Sequence, residues 1–419
     1  MLSAECLATV KSHYQFSPLG ETTGNLTLGR GRASAGAGKP QVPVFVAIVE
    51  NRIASGSLGV KECDKLASLF KVVAAQKAGM VIYLDSAGAR VSEGLPALGA
   101  FRMMYRTALD AAASGASITV YCGTNCFGGA SMLAALATAR VYSENTRFAM
   151  SGPSILAQAA GISALDDIFM AMSMVAIGGG ARSKLDVSES LAGVTTFTHL
   201  PVPRVDALFA RHGSLGERLA GTKIAANTGV VAKVERKDLA KLYPEGYQLN
   251  ERAGVLSGEA TYEGQPVLLA GFVGGKMLGA ERAWAQADAL WKLTTEDSAK
   301  RDPARRLHLL IDCESHATSI EDERMMLSAY LADLASALHA VAASGFSIET
   351  IVLGKLGGGV YVAVCAPVSK VTMLYGAEIQ LLPGRAIASI LGETAMQKHG
   401  FAEYASARVA ERELKLGIV

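Results

Sequence analysis

Short apolar runs alternate along the chain with longer stretches in which apolar residues recur every three or four positions. The short runs, such as residues 80–84 and 116–121, contain β-branched residues and are typical of buried strands. Residues 61–78 have the spacing of a helix that buries one face. Strands that alternate with helices predict layers in which the helices cover the sheets, so we expect an α/β protein.

The predicted elements begin again in the second half of the chain. Strands are predicted at residues 43–49, 80–84, 116–121, 140–143 and 147–150, and again at 266–273, 307–312 and 348–353. Helices are predicted at residues 61–78, 96–113, 280–294 and 321–344, with further helical segments up to residue 185. A flexible glycine-rich loop is predicted at residues 29–38, and a partly helical connection at residues 200–264.

Residues of the same type also recur at a nearly constant distance along the chain. The distance is 227 or 230 positions for three pairs: Asp85 and Asp312, Gly128–Gly129 and Gly358–Gly359, and Pro153 and Pro383. A constant offset between strand ends and glycine pairs indicates duplication of one β/α unit. We therefore predict two domains, residues 1–199 and 251–419, joined by an inter-domain connection at residues 200–250.

Composition and charge exclude several classes of protein. Hydrophobic residues make up 50% of the chain and charged residues 19%, and the net charge is only +2. This balance gives no reason to expect nucleic acid or an anionic membrane as a partner. The sequence shows no apolar run of transmembrane length and no signal peptide, so we expect a cytoplasmic protein with six reduced cysteines. Cys122 and Cys126 lack a second pair of ligands, so no metal site is predicted.

The glycine pair Gly128–Gly129 stands between a predicted strand and a predicted helix. Glycine allows close approach of a ligand, and the first turn of a helix has N–H groups without helical partners. Such donors suit an oxygen that becomes negative during a reaction. A structural alternative is that the pair only lets the helix pack on the strand. Because the arrangement occurs twice, we expect two corners that could face one cleft, one for an acyl oxygen and one for a carboxyl group.

Several motifs together resemble the carboxyltransferase branch of the crotonase-like superfamily. In the first half they are Asp85-Ser-Ala-Gly-Ala-Arg90 with Glu93, Cys126-Phe-Gly-Gly-Ala-Ser131, Arg140-Val-Tyr-Ser-Glu144 and Ser151-Gly-Pro153. In the second half they are Ile311-Asp312, Glu323-Arg324, Gly354-Lys355, Gly358-Gly359 and Pro383-Gly-Arg-Ala-Ile-Ala-Ser389. The resemblance implies two duplicated crotonase-like domains (ClpP/crotonase β-β-α spirals). Within the branch, the chain most resembles biotin-independent malonate decarboxylases with their beta and gamma subunits fused.

This resemblance implies decarboxylation of a malonyl thioester to the acetyl thioester and CO2 through an enolate. The substrate would be carried on a phosphopantetheine-type thiol, of an acyl carrier protein or of coenzyme A, and no cofactor would be bound covalently. By resemblance, the N–H groups of Gly88 and Gly129 hold the thioester oxygen, and those of Gly359 and Val360 hold the departing carboxylate. Further substrate contacts are expected at Ser86, Ala87, Arg90, Gly128, Lys355 and Gly358.

The enolate carbon needs a proton, and His316 is the first candidate donor because it follows the strand that ends at Asp312 and imidazole has a suitable pKa. The alternative is an ordinary loop histidine; Ser92 and Tyr361 are weaker candidates. Arg90 either pairs with the carrier or forms a structural ion pair with Glu93.

Two further residues near the corners also carry alternatives. Lys355 either contacts carrier phosphate or is solvated. Cys126 is interpreted as a buried small side chain rather than a nucleophile.

Two other functions stay open on the sequence. One is a carboxyltransferase subunit of a biotin-dependent acyl-CoA carboxylase or decarboxylase, because such proteins share the fold and the glycine corners. The other is a non-catalytic scaffold that binds a carrier protein, which Ala87 and Ser154 favour because they depart from the family motifs. A homo-oligomer is possible but is not required.

Overall fold

The computed structural model describes residues 2–34, 41–162, 165–185, 204–222, 230–295, 305–382 and 398–416. The chain forms two compact units, and each unit takes its residues from two separate stretches of sequence. Unit 1 comprises Met1–Ala207 and Thr318–Ala332, and unit 2 comprises Leu208–Ala317 and Asp333–Val419. The predicted domain limit at residue 199 and the motif at residues 383–389 lie outside the described residues.

Unit 1 holds one sheet, with helices between its parallel strands. Its strands are β1 Ser17–Pro18, β2 Leu26–Ser34, β3 Gln41–Val49, β4 Gly79–Ser86, β5 Ile118–Phe127, β6 Ala139–Tyr142 and β7 Arg147–Ala149. Its helices in the first stretch of sequence are α1 Ser3–His13, α2 Val60–Gln76, α3 Gly94–Ala113, α4 Gly129–Ala135, α5 Pro153–Ala159, α6 Asp167–Ile177 and α7 Gly179–Leu185. Short 3₁₀ turns lie at Ala54–Gly56 and Val91–Glu93.

The sheet of unit 1 is antiparallel at one edge and parallel in its centre. Strands β1, β2 and β3 pair antiparallel, β3 to β6 pair parallel in chain order, and β7 extends the pairing of β5. Helix α2 buries Leu66, Phe70 and Val73, which recur at helical spacing as the sequence predicted. Parallel sheets need helices of this kind, because their strands are normally covered on both faces.

The glycine-rich segment at residues 29–38 was expected to be a loop, and for its described part this prediction is wrong. Residues 29–34 lie in β2, which pairs with β3 over its whole length. A Cβ at Gly29 would lie 2.5 Å from the Ser17 carbonyl oxygen, and one at Gly31 would lie 2.6 Å from that of Tyr14. These glycines therefore allow close backbone approach within a strand, which composition alone does not distinguish from a loop.

Unit 2 holds a second sheet. Its strands are β8 Ala232–Lys233, β9 Tyr247–Arg252, β10 Val255–Tyr262, β11 Gln265–Gly275, β12 Arg306–Cys313, β13 Ser347–Gly357, β14 Lys370–Leu374, β15 Glu378–Gln380 and β16 Arg412–Leu414. The helices of the second half are α8 Arg204–Ala220, α9 Lys237–Leu242, α10 Ala280–Thr295, α11 Ile320–Arg324, α12 Leu327–Ala343, α13 Gly358–Cys365 and α14 Phe401–Ser406. Of these, α11 and the first residues of α8 and of α12 belong to unit 1.

Part of the segment predicted as a connection contributes strands to the second sheet. Strands β8 to β11 form an antiparallel meander, and β11 to β14 continue as parallel strands in chain order. Residue 250, the other predicted limit, lies inside β9. A core of Leu249, Leu256, Leu310 and Ile351 joins this meander to the parallel strands, so it packs as part of unit 2.

The long helix predicted at residues 321–344 is divided into two. Helix α11 ends at Arg324 and α12 begins at Leu327, because Met326 between them has φ +64°. Left-handed backbone is rare for a non-glycine residue, and the apolar period continues across it, so sequence pattern gave no sign of the break. The break allows α11 to follow a direction different from that of α12.

The two sheets share one local arrangement that accounts for the sequence offset. Leu84 of β4 pairs with Cys122 of β5, and Ser86 pairs with Cys126. Between these two pairs β4 advances by two residues while β5 advances by four. In the second sheet Ile311 pairs with Val352 and Cys313 with Leu356, which is the same two-residue bulge. The predicted α/β class with one duplicated arrangement is therefore confirmed.

Two features are absent from the described residues. None of the described helices is long and apolar enough to cross a membrane. Over the same ranges, no group of three or more His, Cys, Asp or Glu side chains is arranged to hold a metal ion. All six cysteines lie in the described residues, and each is buried and not disulfide-bonded.

Candidate active site

Asp85 at the end of β4 builds the first corner by closing the bulge in β5. Its two carboxylate oxygens accept hydrogen bonds from the backbone N–H groups of Thr124 and Asn125, both at 3.0 Å. A Cβ at Gly123 would lie 2.8 Å from the Asp85 Cγ, so only glycine fits beside this carboxylate. Burial raises the pKa of Asp85, and the bonds from Asn125 and Thr124 oppose this rise in part.

Asp312 repeats this role in unit 2. Its Oδ1 accepts a hydrogen bond from the backbone N–H of Lys355 at 3.1 Å, and a Cβ at Gly354 would lie 2.8 Å from its Cγ. The aspartates recognised in the sequence as strand ends thus fix the path of the next strand just before each glycine pair. Gly354 was named in the sequence only as part of a motif and Gly123 was given no role, although the two glycines lie 231 positions apart, close to the other offsets.

Gly128 and Gly129 turn the chain from β5 into α4. Gly128 has φ +55°, which favours glycine, and its N–H donates to the Ala149 carbonyl oxygen at 3.0 Å. Gly129 opens the helix, and within the described part of the chain no hydrogen-bond partner is found for its N–H. A Cβ at Gly129 would lie 2.6 Å from Cε1 of the buried Phe101, so this glycine has no room for a side chain.

Gly88 lies against the amide of Gly129. Its φ is +90°, and a Cβ built on it would lie 3.0 Å from the Gly129 nitrogen. The Gly88 carbonyl oxygen accepts from the Leu58 N–H at 2.7 Å. This bond holds the loop that contains Gly88 against the turn from β5 into α4. The Gly88 N–H donates to Oγ of the buried Ser86 at 3.1 Å. The structure therefore brings Ser86, Gly88 and Gly129 together within unit 1.

The corner of unit 2 differs because its own side chains fill it. Ser315 takes the place of Gly88, since its carbonyl oxygen accepts from the Leu278 N–H at 2.9 Å in the same bridge. The Gly359 N–H donates to Nδ1 of His316 at 3.3 Å, and Ser315 Oγ lies 3.2 Å from the same nitrogen. A nitrogen that accepts from an amide carries a lone pair, so Nδ1 is unprotonated in this arrangement. His316 is buried, and Gly358, with φ +57°, lies beside it.

Arg90 is engaged inside unit 1. Its guanidinium forms ion pairs with Glu62 and with Glu93, the latter at 2.7 Å, and donates to the Ser57 carbonyl oxygen at 2.8 Å. Burial lowers its pKa, but the bonds to Glu62 and Glu93 outweigh this effect and leave the pKa raised. Of the two alternatives for Arg90, this arrangement is the structural ion pair, and the buried Glu62 is a partner that the sequence did not indicate.

The remaining candidates lie in distinct surroundings. Lys355 and Ser92 are exposed, and Val360 is fully buried in the first turn of α13. The hydroxyl of the buried Tyr361 donates to the Val409 carbonyl oxygen at 3.0 Å. Cys126 is fully buried, and burial raises the pKa of its thiol, with Cys122 as a further cause.

A carboxylate that sequence reasoning left without a role lies next to the first corner. Glu323, in α11, is fully buried in unit 1 and accepts from the N–H groups of Met150 and Ser151 at 3.2 and 2.8 Å. Arg182 pairs with it at 3.5 Å. The only sequence signal was its place in a motif of the second half, which gave no reason to connect it with residues near 150.

Another buried histidine of unit 2, His212, has its contacts outside the corner. Nδ1 of His212 lies 2.8 Å from Asp333 and its Nε2 lies 3.4 Å from Asp288, while its ring stacks on Trp284 at 5.2 Å. Burial lowers the pKa of His212, but hydrogen bonds and charge from Asp333 and Asp288 raise it overall. This cluster links α8, α10 and α12 within unit 2.

No protein-family model and no curated protein matches the chain. Among solved structures, transcarboxylase 12S with hydrolysed methylmalonyl-coenzyme A bound is 16% identical, over 99% of this chain and 86% of that chain, with a TM-score of 0.36. The MdcD–MdcE heterodimer of a Pseudomonas malonate decarboxylase is 20% identical, over 45% of this chain and 78% of that chain, with a TM-score of 0.36. The beta subunit of P. aeruginosa geranyl-CoA carboxylase is 14% identical, over 99% and 84%, with a TM-score of 0.34. Likenesses at these TM-scores carry no argument about the activity of this chain.

Proposed function

We propose that the protein is a biotin-independent decarboxylase of malonyl thioesters, built from two crotonase-like domains. The observation that carries the proposal is the corner of unit 1, where the backbone of Gly88 lies against the amide of Gly129 and the Gly129 N–H is unengaged by the described residues. A pair of backbone N–H groups is a usual means of stabilising an enolate oxygen, and in this proposal Gly88 and Gly129 supply the pair. The motifs at residues 85–93 and 126–131 agree with this role.

In the proposed reaction, the bond between the carboxylate carbon and the α-carbon of the malonyl group breaks. The electron pair moves into the thioester carbonyl, so that its oxygen becomes negative while CO2 leaves. The N–H groups of Gly88 and Gly129 donate to this oxygen, and loss of one such donor typically costs about 10²–10³ in rate. The α-carbon then accepts a proton, which gives the acetyl thioester.

In the structure the Gly88 N–H has a neutral acceptor, whereas in the proposed reaction it donates to an oxyanion. The Gly88 N–H is bonded to the Ser86 hydroxyl at 3.1 Å. Hydrogen bonds to a charged acceptor are roughly twice as strong as those to a neutral one. An enolate oxygen therefore displaces the hydroxyl more readily than the neutral thioester carbonyl does. In this proposal, Ser86 increases the preference of the corner for the transition state over the ground state.

The second corner enters the proposal as the site of the departing carboxylate, with Gly359 and Val360 as donors and His316 as the proton donor. In the structure the Gly359 N–H is bonded to His316 Nδ1. A carboxylate that takes this N–H releases the imidazole, so binding of the carboxylate and mobilisation of His316 are one event. Arg90 and Lys355 remain proposed contacts of the carrier arm; for Arg90 such a contact requires loss of its bond to Glu62 or Glu93.

The proposal is tested by incubating the purified chain, freed of biotinylated proteins with avidin, with malonyl-CoA or with a malonyl-carrier protein. Mass spectrometry is expected to show the acetyl thioester and to identify the preferred carrier. Gly129→Ala is expected to lower turnover by about 10²–10³. Gly180→Ala is the matched control, because a Cβ there meets nothing within 4 Å. Carboxyl transfer that occurs only with a biotinylated carrier would indicate the carboxyltransferase, and carrier binding without either reaction would indicate the scaffold.

A further inference from the structure

Glu323 is linked to the corner of unit 1 through backbone hydrogen bonds between residues that are adjacent in the chain. Its carboxylate accepts from the N–H groups of Met150 and Ser151, the two residues that follow β7. The preceding residue, Ala149, pairs with Phe127 in the sheet and accepts the N–H of Gly128 at 3.0 Å. Gly129 follows Gly128 directly. The carboxylate therefore fixes the turn that carries the proposed oxyanion donor, the Gly129 N–H.

The surroundings of Glu323 hold this carboxylate in one place. Both Glu323 and Arg182 have fully buried side chains. Arg182 also donates to the Phe148 carbonyl oxygen at 2.9 Å and to the Glu323 carbonyl oxygen at 2.6 Å, so it clamps β7 and α11 together. Ser131, in the first turn of α4, adds a second tie, since its hydroxyl lies 2.7 Å from that of Ser328 in α12. These contacts have no counterpart in the mechanism proposed above.

We propose that Glu323 is a positioning residue, which sets the Gly128–Gly129 turn so that the Gly129 N–H is directed at the enolate oxygen. This inference rests on the proposed function and adds a residue that acts through the backbone, without touching the substrate. A misplacement of about 1 Å that arises away from the chemistry costs up to about 10² in rate, so exact support of this turn matters. The carboxylate form is the one whose two oxygens both accept from amides.

The ionisation of Glu323 gives the inference a distinctive signature. Burial raises the pKa of this carboxyl group to about 7, against the effect of Arg182 and of the two amides. Arg182 faces the carboxylate from α7, and Asp322 of its own helix opposes ionisation. If the ionised form holds the turn, kcat rises with pH through about 7 in the wild type. Removal of the charge abolishes that inflection, which a merely structural contact does not predict.

The experiment uses the full chain with Glu323→Gln, Glu323→Asp and the control Glu321→Gln, which changes an exposed residue of the same helix. Hydrogen exchange monitored by mass spectrometry reports the protection of residues 147–152, and the rate of malonyl-CoA decarboxylation is measured from pH 5.5 to 8.5. For Glu323→Gln we expect lost protection at Met150 and Ser151, a fall in kcat of about 10-fold to 10²-fold with little change in KM, and loss of the rise in kcat that the wild type shows through about pH 7. Glu323→Asp is expected to restore the inflection, and Glu321→Gln to match the wild type.

The outcomes separate this inference from the function on which it rests. Unchanged exchange in residues 147–152 of Glu323→Gln would overturn the inference, because the contact then does not hold the turn. Lost protection with an unaltered pH profile would also overturn it and leave a structural role. A wild-type chain without turnover would refute the proposed function, and the exchange result would still report on the contact itself. If Glu323→Gln fails to fold, Glu323→Asp decides the matter by its pH profile.

Discussion

Replacement of Gly129 by alanine perturbs the candidate site through one identifiable clash. The new Cβ would lie 2.6 Å from Cε1 of Phe101 and closer still to Cζ. Carbon atoms pack at about 3.5–4.0 Å, so the ring or the helix must move by about 1 Å. Phe101 is completely buried, and overpacking of this kind typically costs about 1–3 kcal/mol. Displacement of the Gly129 N–H adds a predicted loss of about 10²–10³ in kcat.

A double-mutant cycle with Phe101→Leu separates the clash from other effects. Leucine lacks the Cζ and Cε atoms that the new methyl group meets, so Gly129→Ala combined with Phe101→Leu is expected to be at least about 1 kcal/mol more stable than the sum of the single changes. Gly128→Ala is the matched control. Its Cβ would meet nothing closer than 3.7 Å, and the φ of +55° alone predicts a loss of about 1–2 kcal/mol that is additive with Phe101→Leu.

The assay is urea unfolding followed by far-ultraviolet circular dichroism and by tryptophan fluorescence. Both tryptophans, Trp284 and Trp291, belong to unit 2, so their fluorescence serves as an internal control for changes confined to unit 1. Additive free energies for Gly129→Ala and Phe101→Leu would refute the reasoning. For the control pair, Gly128→Ala and Phe101→Leu, additive free energies are the expected result.

Three further predictions concern buried charges. Arg90→Met leaves the buried carboxylate of Glu62 without its ion-pair partner, so we expect a loss of about 3–5 kcal/mol in urea unfolding at pH 7; a loss below 1 kcal/mol would contradict this. Asp85→Asn removes one of the two acceptors for backbone N–H groups and is expected to destabilise unit 1 by about 1–3 kcal/mol, measured by circular dichroism, with tryptophan fluorescence unchanged. His212 has a raised pKa because the carboxylates that face it, Asp333 above all, outweigh burial. Its stabilising contribution is therefore fully present below the unfolded pKa of about 6.5 and is lost as pH rises through the folded pKa. Urea unfolding followed by tryptophan fluorescence at several pH values is expected to show this decline in the free energy of unfolding for the wild type, and no such decline for His212→Gln. Equal slopes of the free energy against pH would contradict the assignment.

Local pattern predicted the long helices and half of the strands, because their apolar residues are buried with regular spacing. The strand at residues 116–121 was recognised from its β-branched residues, and in the structure it continues to Phe127. The continuation is polar and bulged, and it is held by the Asp85 carboxylate, which is distant in sequence. Strand β2 was missed for the converse reason, since its glycines are required by neighbours that sequence pattern does not reveal.

The candidate site shows the same division between local and distant information. Gly88, Gly128 and Gly129 could be identified from motif and offset, because backbone turns have local signatures. The occupation of the Gly359 N–H by His316 could not be anticipated, since it depends on a contact across 43 positions. Glu323 lies further still from the turn that it holds, and only the fold brings a residue of the second half into unit 1.

The central claim is that the amides of Gly88 and Gly129 stabilise a thioester enolate, and deuterium incorporation into acetyl-CoA in D2O tests it most directly. In this exchange the proposed proton donor, His316, acts in reverse: its imidazole takes a proton from the acetyl methyl group, the amides hold the enolate oxygen, and a deuteron is returned to the carbon. The exchange requires neither a carboxyl group nor biotin. We predict that mass spectrometry shows deuterium in the acetyl methyl group with the wild type and with Gly180→Ala, and at most about a hundredth of that rate with Gly129→Ala. No exchange with the wild type, or undiminished exchange with Gly129→Ala, would contradict the account.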